Sequence, residues 1–315
     1  MADPLPFVGP DGSPRMAIGD IHEVEAVSDC YYVDTGMYDT PEYGAVYLLD
    51  ADRPAIVDAG IGTNHERVLD GLETVGIAPA DLAAIVLTHV HLDHAGGAGF
   101  IHEATGADVY VSEAGASFLA HPDRIWDGTK AAVGDQITYY TEPRPVPADA
   151  IEPLEDGATV DLGSTELDVR HAPGHAFHQV VLHDRAAAAV YTADAAGIYV
   201  PARDAVRPTS PPPDFDLERV VDDARLVARM DPETLCYPHF GAVPADERIS
   251  EYVGVITDWV ESIAETRREL ADDDAVVEQF VEADDIDELW GEHKARGETA
   301  MNVRGVLQYL DDREA

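Results

Sequence analysis

The sequence is poor in cysteine and in long apolar runs. Its 315 residues include two cysteines, Cys30 and Cys236, so the sequence predicts no disulfide framework and fits a reducing compartment. Each thiol is interpreted as a small buried apolar residue. No apolar run approaches the length of a membrane span, and the first fifteen residues lack the apolar core of a secretion signal. These absences predict a soluble, cytoplasmic protein with no membrane partner.

Basic residues are also scarce, and acidic residues are abundant. The chain has 62 aspartates and glutamates against 20 lysines and arginines, which gives a net charge of −42, and its only lysines are Lys130 and Lys294. Such a surface disfavours binding to a phosphate backbone, so no nucleic-acid partner is predicted. The composition resembles that of proteins from salt-loving organisms, because concentrated salt screens the repulsion among like charges.

The apolar residues are sufficient for a large core, since they make up 45% of the chain. Short strand-like runs alternate with amphipathic helices; residues 64–75, for example, place Val68 and Leu72 on one helical face. Strand-rich and helical blocks occur twice, which predicts two similar α/β halves followed by a helical tail. Residues 113–150 are rich in tyrosine, proline and charge, and are predicted to lie over the site as an insertion.

Four side chains able to bind a metal stand where a predicted strand gives way to a helix. His89, His91, Asp93 and His94 follow the apolar run at residues 82–87 and precede a pair of glycines. His89 and His91 share one face if the chain is still extended, whereas Asp93 and His94 are adjacent and diverge. The pattern predicts that one pair serves one metal and the other pair serves a second metal nearby.

Three further donors follow strand-like runs. His175, Asp194 and His239 each come shortly after such a run, within a turn that contains glycine or another small residue. In each case a strand is followed by a metal donor and then by a small residue. This order places several donors at the same edge of the β-sheets. The sequence therefore predicts a catalytic metal site at that edge.

In the order of these motifs the chain resembles the metallo-β-lactamase superfamily, over about residues 20–245. The resemblance implies an α/β fold, a four-layer αββα sandwich with a C-terminal helical extension. The expected organisation is an N-terminal segment at residues 1–19, a metallo-β-lactamase-like domain at 20–245 with a cap-like insertion at 113–150, and a helical extension at 246–315.

The resemblance also implies a set of metal ligands, for two zinc ions or, alternatively, for iron. The expected ligands are His89, His91 and His175 for the first ion, Asp93, His94 and His239 for the second, and Asp194 as a bridge between them. Asp58, in a Val-Asp-Ala-Gly turn, matches the acidic residue that supports the site from behind the ligands. His178 is a candidate for touching the substrate or orienting a ligand. His171 is interpreted as structural or as supporting a ligand, because His175 takes the matching place.

The implied activity is metal-dependent hydrolysis of a small molecule by a hydroxide that bridges the metals, with Asp93 as the catalytic residue that orients it and handles its proton. The chain looks most similar to the glyoxalase II-like group, which cleaves hydroxyacyl thioesters. The Ala-Ala-Gly sequence after Asp194 and the absence of an evident basic set in the tail disfavour a glutathione thioester. Another thioester, a lactone or another ester remains open.

Other activities are kept as alternatives. Persulfide dioxygenases of the superfamily have a similar motif set but use one iron and oxygen, and some members are phosphodiesterases, which the acidic surface disfavours here. Diiron flavoproteins usually replace one histidine of the cluster with glutamate, so His91 argues against them. A binding protein with little activity is the third class. The tail from residue 249 onward either packs on the sandwich or forms a homodimer contact.

Overall fold

Two β-sheets lie face to face in the structure, a computed structural model that describes residues 15–314. The first sheet contains seven strands that are adjacent in chain order: Ile21–Glu23 (β1), Cys30–Asp34 (β2), Ala45–Leu49 (β3), Ala55–Val57 (β4), Ala84–Val86 (β5), Asp108–Ser112 (β6) and Ile151–Leu154 (β7). Neighbours from β1 to β4 are antiparallel, and those from β4 to β7 are parallel.

The second half of the chain forms a six-stranded sheet and a separate two-stranded hairpin. Its strands are Thr159–Asp161 (β8), Glu166–His171 (β9), Val180–Asp184 (β10), Ala189–Tyr191 (β11), Ile198–Val200 (β12), Ala205–Arg207 (β13), Thr234–Tyr237 (β14) and Gly241–Pro244 (β15). The order across the sheet is β15-β14-β11-β10-β9-β8, while β12 and β13 pair with each other. Only β11 and β14 are parallel in this sheet.

Helices cover the outer face of each sheet. They are His65–Thr74 (α1), Leu92–Ala95 (α2), Ala98–Thr105 (α3), Glu113–Ala120 (α4), Asp123–Val133 (α5), Leu217–Arg229 (α6), Arg248–Leu270 (α7), Asp273–Ala283 (α8), Asp287–Trp290 (α9) and Glu292–Glu314 (α10). None of the helices within residues 15–314 combines the length and the apolar character that a membrane span requires.

The alternation of side chains along β4 shows how the first half forms two cores. Ala55 and Val57 point into the core between the two sheets, whereas Ile56 points outward and packs with Val68 and Leu72 of α1. This is the two-residue period of a strand that is buried on both faces. The first sheet is therefore enclosed between α1 and the second sheet.

The second half repeats this arrangement. Val180 and Leu182 of β10 lie in the core between the sheets, and Val181 faces an outer core that contains Val220 of α6 and Tyr252 of α7. The layers are thus helix, sheet, sheet, helix, and the predicted αββα sandwich is confirmed.

The helical tail packs on the second sheet. Ile256 of α7, Val276 of α8 and Val303 and Val306 of α10 belong to the same outer core as β10 and β14. Of the two roles that the sequence left open for the tail, the structure shows packing on the sandwich. The tail also reaches the loop end of the sandwich, where Trp290 of α9 is buried.

The sequence did not predict the helices within residues 113–150. This segment contains α4 and α5, whereas the sequence indicated only an insertion rich in tyrosine, proline and charge. None of the residues of α5 is fully buried, and this helix lies at the wall of a cavity, outside the buried hydrophobic cores. Most of the predicted N-terminal segment, residues 1–14, lies outside the described residues.

Candidate metal centre

The candidate donors follow the carboxyl ends of strands. β4 and β5 are parallel, so the chain segments after them, which carry Asp58 and His89, leave the first sheet at one edge. β11 and β14 are parallel as well, so Asp194 and His239 leave the second sheet together. Loops at the carboxyl ends of parallel strands are common positions for ligand sites, because the sheet holds them side by side.

Two loops of the first sheet are held in close contact by glycine. The amide of Gly97 donates to Gly60 O at 3.0 Å, and the amide of Ala59 donates to His94 O at 2.7 Å. A Cβ atom on Gly97 would lie 2.2 Å from the carbonyl oxygen of Ala59. Since no side chain fits at that distance, glycine is required for the histidine-bearing loop to lie against the loop of Asp58.

The first group of donors contains three histidines. His89 Nε2 and His175 Nε2 each lie 3.1 Å from His91 Nδ1. The three nitrogens come from loops separated by more than eighty residues in sequence and all lie within 4.8 Å of one another. The three nitrogens form one group of candidate ligands, which lies where loops of the first sheet meet a loop of the second sheet.

The second group contains Asp93, His94 and His239, and Asp194 lies between the two groups. His94 Nε2 and His239 Nε2 are 3.2 Å apart. Asp194 directs Oδ2 to His175 Nε2 at 3.1 Å, and its Oδ1 lies 3.6 Å from His94 Nε2 and 3.8 Å from His239 Nε2. Each oxygen of this carboxylate therefore faces a different donor group.

The donors have the chemistry and spacing that a divalent metal requires. Burial lowers the pKa of His89 and of His175 well below the usual value, so both rings are neutral and offer a lone pair. Asp194 Oδ1 is buried and accepts no hydrogen bond from the described residues. Ligand nitrogens on a tetrahedral zinc lie about 3.3 Å apart, given bonds of about 2.0–2.1 Å, and the observed separations are close to this value. The residues therefore fit a metal site.

Charge in the second group also favours a cation. Burial opposes the charged form of His94, but the carboxylates of Asp194, Asp58 and Asp93 raise its pKa to about 10. Three carboxylates converge on this ring and favour a positive charge there. A divalent cation supplies the same positive charge more effectively, since all three side chains carry strong oxygen acceptors.

Hydrogen bonds fix the orientation of the histidines in the second group. Asp58 Oδ1 accepts from the amide of Thr88 at 2.8 Å, and Asp58 Oδ2 accepts from His94 Nδ1 at 2.9 Å. His239 Nδ1 donates to the carbonyl oxygen of Tyr43 at 2.9 Å. With Nδ1 occupied in this way, both rings present Nε2 to the site.

The turn that carries His175 is held by a residue that the sequence did not single out. The amide of Gly174 donates to Asp223 Oδ2 of α6 at 2.6 Å. A Cβ on Gly174 would lie 2.3 Å from the backbone nitrogen of Val220, so the turn sits directly on the helix. Asp223 is an interior position of an acidic helix, and nothing in the local sequence distinguishes it from its acidic neighbours.

A cavity of about 310 Å³ opens over the donors. His91, Asp93, His175, Asp194 and His239 form its floor. Its walls come from α4 and α5, from the loop at residues 209–214 and from α10. Residues 113–150 thus contribute helices to the wall of the cavity, at the position that the sequence suggested for an insertion.

The tail contributes a buried ion pair next to the site. Lys294 Nζ lies 2.5 Å from Glu298 Oε2, and both side chains are at least 94% buried. Tyr43 donates its hydroxyl hydrogen to Glu298 at 3.1 Å, and Glu298 also lines the cavity. The sequence analysis missed this pair. Its signal was a four-residue spacing in a helix with a rare lysine, but such pairs usually lie on the surface.

The structure brings the sequence-predicted residues together in one place. His178 lines the cavity beside the first donor group, with its ring 5.4 Å from that of His91 and its Nδ1 3.5 Å from the amide of Val90. Asp58 lies behind His94, as described above. His171 belongs to none of the metal-donor groups found within residues 15–314.

Comparison with known families agrees with this geometry. The model of the metallo-beta-lactamase superfamily matches residues 39–239, which include the whole donor set. The chain belongs to the metallo-beta-lactamase superfamily. The match ends at His239, so α7 to α10 lie outside it.

An archaeal member of the superfamily is similar over most of the chain. The metallo-beta-lactamase fold-containing protein of Sulfurisphaera tokodaii is 26% identical over 219 residues, which cover 67% of this chain and 78% of the relative. Its crystal structure superposes with a TM-score of 0.69 at 22% identity and covers 92% of this chain and all of the other. This likeness shows a shared fold.

Two relatives carry names that describe an activity. The acyl-coenzyme A thioesterase of Gallus gallus is 28% identical over 183 residues, 53% of this chain and 62% of the relative. The hydroxyacylglutathione hydrolase of a Jannaschia species is 30% identical over 154 residues, 49% of this chain and 44% of the relative. The matched segments span less than two thirds of either relative.

Proposed function

We propose that this protein is a dinuclear zinc hydrolase that cleaves a thioester or another ester of a small molecule. The observation that carries the proposal is the position of Asp194, whose two carboxylate oxygens face two separate groups of nitrogen donors. One ion would be held by His89, His91 and His175, and the second by the remaining donors: Asp93, His94 and His239. The relatives named as a thioesterase and as a hydroxyacylglutathione hydrolase support the choice of a thioester.

Metal ions at this site would lower the pKa of water and polarise the carbonyl group of the substrate. The accessibility of Asp93 supports a role in the accompanying proton transfer. Its side chain is 24% exposed, which makes it more accessible than Asp194, and it lines the cavity. Burial opposes its ionisation, but His94 and His239 lower the pKa of Asp93 below its usual value. Asp93 therefore stays ionised near neutral pH, where it can orient the attacking water and accept its proton.

Metal content and turnover together test the proposal. Protein purified in high salt without added metal should contain close to two zinc ions per chain by mass spectrometry, and should hydrolyse members of a panel of thioesters, lactones and other esters. His175→Ala should abolish hydrolysis and reduce zinc content, because it removes a nitrogen from the first group. His183→Ala is the matched control, since His183 lies on β10 outside the described donor groups and should leave both quantities unchanged.

One observation favours a second candidate, a mononuclear-iron dioxygenase. His89, His94 and Asp194 form a group of two histidines and one carboxylate, which is a donor set that holds non-haem iron in oxygenases. One iron per chain with little zinc, together with oxygen consumption in the presence of persulfides, would support that candidate and reject the hydrolase. Turnover of phosphodiesters without turnover of esters would instead support the phosphodiesterase alternative.

A further inference from the structure

The cavity has one polar surface and one apolar surface. The candidate metal donors form the floor, while Phe118, Ile125, Val133, Ile198 and Met301 contribute apolar side chains to the walls. These residues come from α4, α5, β12 and α10, which are separate elements of the chain. A ligand that reaches the floor must therefore pass or contact an apolar surface.

Helix α5 places one face toward this cavity. Ile125, Gly128, Thr129, Ala132 and Val133 all line it, at the three- and four-residue spacing of a single helical face. Yet no residue of α5 is fully buried, and Ile125, Ala132 and Val133 are of intermediate exposure. The apolar face is thus turned toward the cavity and is only partly covered by protein atoms, so a ligand in the cavity would add to its contacts.

Away from the candidate metal donors, the lining of the cavity offers an anionic ligand little attraction. Asp93, Asp194, Asp214 and Glu298 line it, and among the described lining residues Arg124 is the only basic side chain apart from histidine. Arg124 lies at the exposed side of α5, with its guanidinium 5.7 Å from the centre of the Phe118 ring. Beyond the donors, a phosphate-bearing group would find a basic partner only in Arg124 among the described lining residues, whereas an uncharged hydrocarbon group would meet the apolar walls.

We propose that the cavity binds the aliphatic acyl chain of the substrate, of about six to eight carbons, beneath α5. A methylene group occupies about the volume of a water molecule, roughly 30 Å³, so a cavity of about 310 Å³ holds on the order of ten such units. The reacting carbonyl group and the atoms bonded to it occupy the volume of two or more of these methylene units, next to the metal donors on the floor. The leaving group extends past Phe177, whose side chain is 47% exposed at the rim. This inference rests on the proposed ester or thioester hydrolysis.

Gly128 offers a substitution that fills the cavity. Nothing lies within 4 Å of a Cβ built on this residue, and its neighbours on the same helical face line the cavity. Gly254 in α7 is the matched control, because it is also an exposed helical glycine with nothing within 4 Å of its Cβ, but it lies outside the cavity. Gly128→Leu and Gly254→Leu should both fold, since leucine is a better helix former than glycine.

The experiment measures kcat/KM for zinc-loaded protein on thioesters that share one small leaving group and carry acyl chains of two to twelve carbons. We expect kcat/KM to rise by up to about fourfold per added methylene and to level off or fall beyond about eight carbons. Gly128→Leu should shorten the optimal chain by about two to four carbons, because leucine places four further carbons in the cavity. Gly254→Leu should behave as the unmodified protein.

A binding measurement separates the acyl-chain proposal from the proposed hydrolysis. Alkyl thioethers that cannot be hydrolysed are titrated into the unmodified protein and both variants by calorimetry. Affinity should rise with chain length in all three proteins and should level off at a shorter chain in Gly128→Leu. Turnover without dependence on acyl length, or a steeper dependence on the length of the leaving group, would overturn the acyl-chain proposal and leave the hydrolase standing. No turnover of any ester, with length-dependent thioether binding, would reject the hydrolase but retain an apolar binding cavity.

Discussion

At the scale of single residues, Asp58 connects backbone geometry to the candidate metal site. Its φ of 60° lies in the left-handed region, which aspartate tolerates better than most residues other than glycine. In this conformation one carboxylate oxygen binds the amide of Thr88 and the other binds His94 Nδ1. Asp58 therefore fixes both the start of the histidine-bearing loop and the orientation of one of its rings.

Asp58→Asn should weaken metal binding by about 10- to 100-fold, because the amide has a single acceptor oxygen for two donors. Competition with a chromophoric chelator measures the affinity. Asp29→Asn is the control, since Asp29 is also a left-handed aspartate, with a φ of 56°, but it is exposed and lies far from the donors in the β2 hairpin. Equal zinc affinity in Asp58→Asn and Asp29→Asn would show that Asp58 does not support the site.

At the scale of elements, α6 holds the turn that carries His175. Asp223 accepts a hydrogen bond from the amide of Gly174, yet burial raises the pKa of its carboxyl to about 7. The raised pKa means that the folded protein favours the protonated carboxyl. The stabilising contribution of this group is complete below about pH 4 and is lost as the pH rises toward 7.

Asp223→Asn should remove this part of the pH dependence, because asparagine stays neutral and its oxygen can still accept from Gly174. The free energy of unfolding of the variant relative to the unmodified protein should increase as the pH rises from about 4 to 7. Urea unfolding in molar KCl at several pH values measures it. Asp258→Asn, at an exposed position of α7, is the control and should give a constant difference. If the difference in free energy of unfolding between Asp223→Asn and the unmodified protein were also independent of pH, the raised pKa of Asp223 would be contradicted.

The tail helix α10 is also tied to the site at this scale. Glu298 receives the hydroxyl hydrogen of Tyr43, and the carbonyl oxygen of Tyr43 accepts from His239 Nδ1. Lys294 compensates the charge of Glu298 and places its ammonium group 4.2 Å from the centre of the Tyr43 ring. Although α10 lies beyond the segment that the family model matches, it contacts the residue that orients one candidate ligand.

At the scale of the whole molecule, the net charge of −42 sets the conditions in which the sandwich is stable. Carboxylates outnumber basic groups about threefold, so most of them have no partner of opposite charge. Their mutual repulsion favours the expanded chain in dilute buffer. Salt shortens the range of this repulsion from about 10 Å at 0.1 M to about 3 Å at 1 M.

The midpoint of thermal unfolding should therefore rise by about 10 °C or more between 0.1 M and 2 M KCl, since a few kcal/mol shifts the midpoint of a chain of this size by that amount. Circular dichroism measures the midpoint. Sucrose at the same water activity is the control, because it affects hydration without screening charge. Equal midpoints at the two salt concentrations, or an equal rise in sucrose, would remove charge repulsion as the cause.

The sequence by itself determined the fold and the composition of the donor set. The strand predicted within the apolar run at residues 82–87 is β5, Ala84–Val86, because a strand buried on both faces is a continuous apolar run with a local signal. The cluster from His89 to His94 was recognisable for the same reason, since four donors within six residues need no knowledge of distant contacts. The predicted roles of individual residues in binding metal stay predictions, although the structure places their donor atoms together.

Tertiary structure alone decided what surrounds these donors. Asp223 binds the backbone of Gly174 across 49 residues, and Tyr43 binds Glu298 across 255. The cavity depends on α5 lying over the floor with its apolar face only partly covered by protein atoms. Local sequence shows none of these contacts, because an acidic residue in an acidic helix has the same pattern whether it faces solvent or a buried amide. The packing of distant segments determines whether such a residue is buried. For Asp223, burial against the turn of Gly174 is what allows the carboxyl group to bind the backbone.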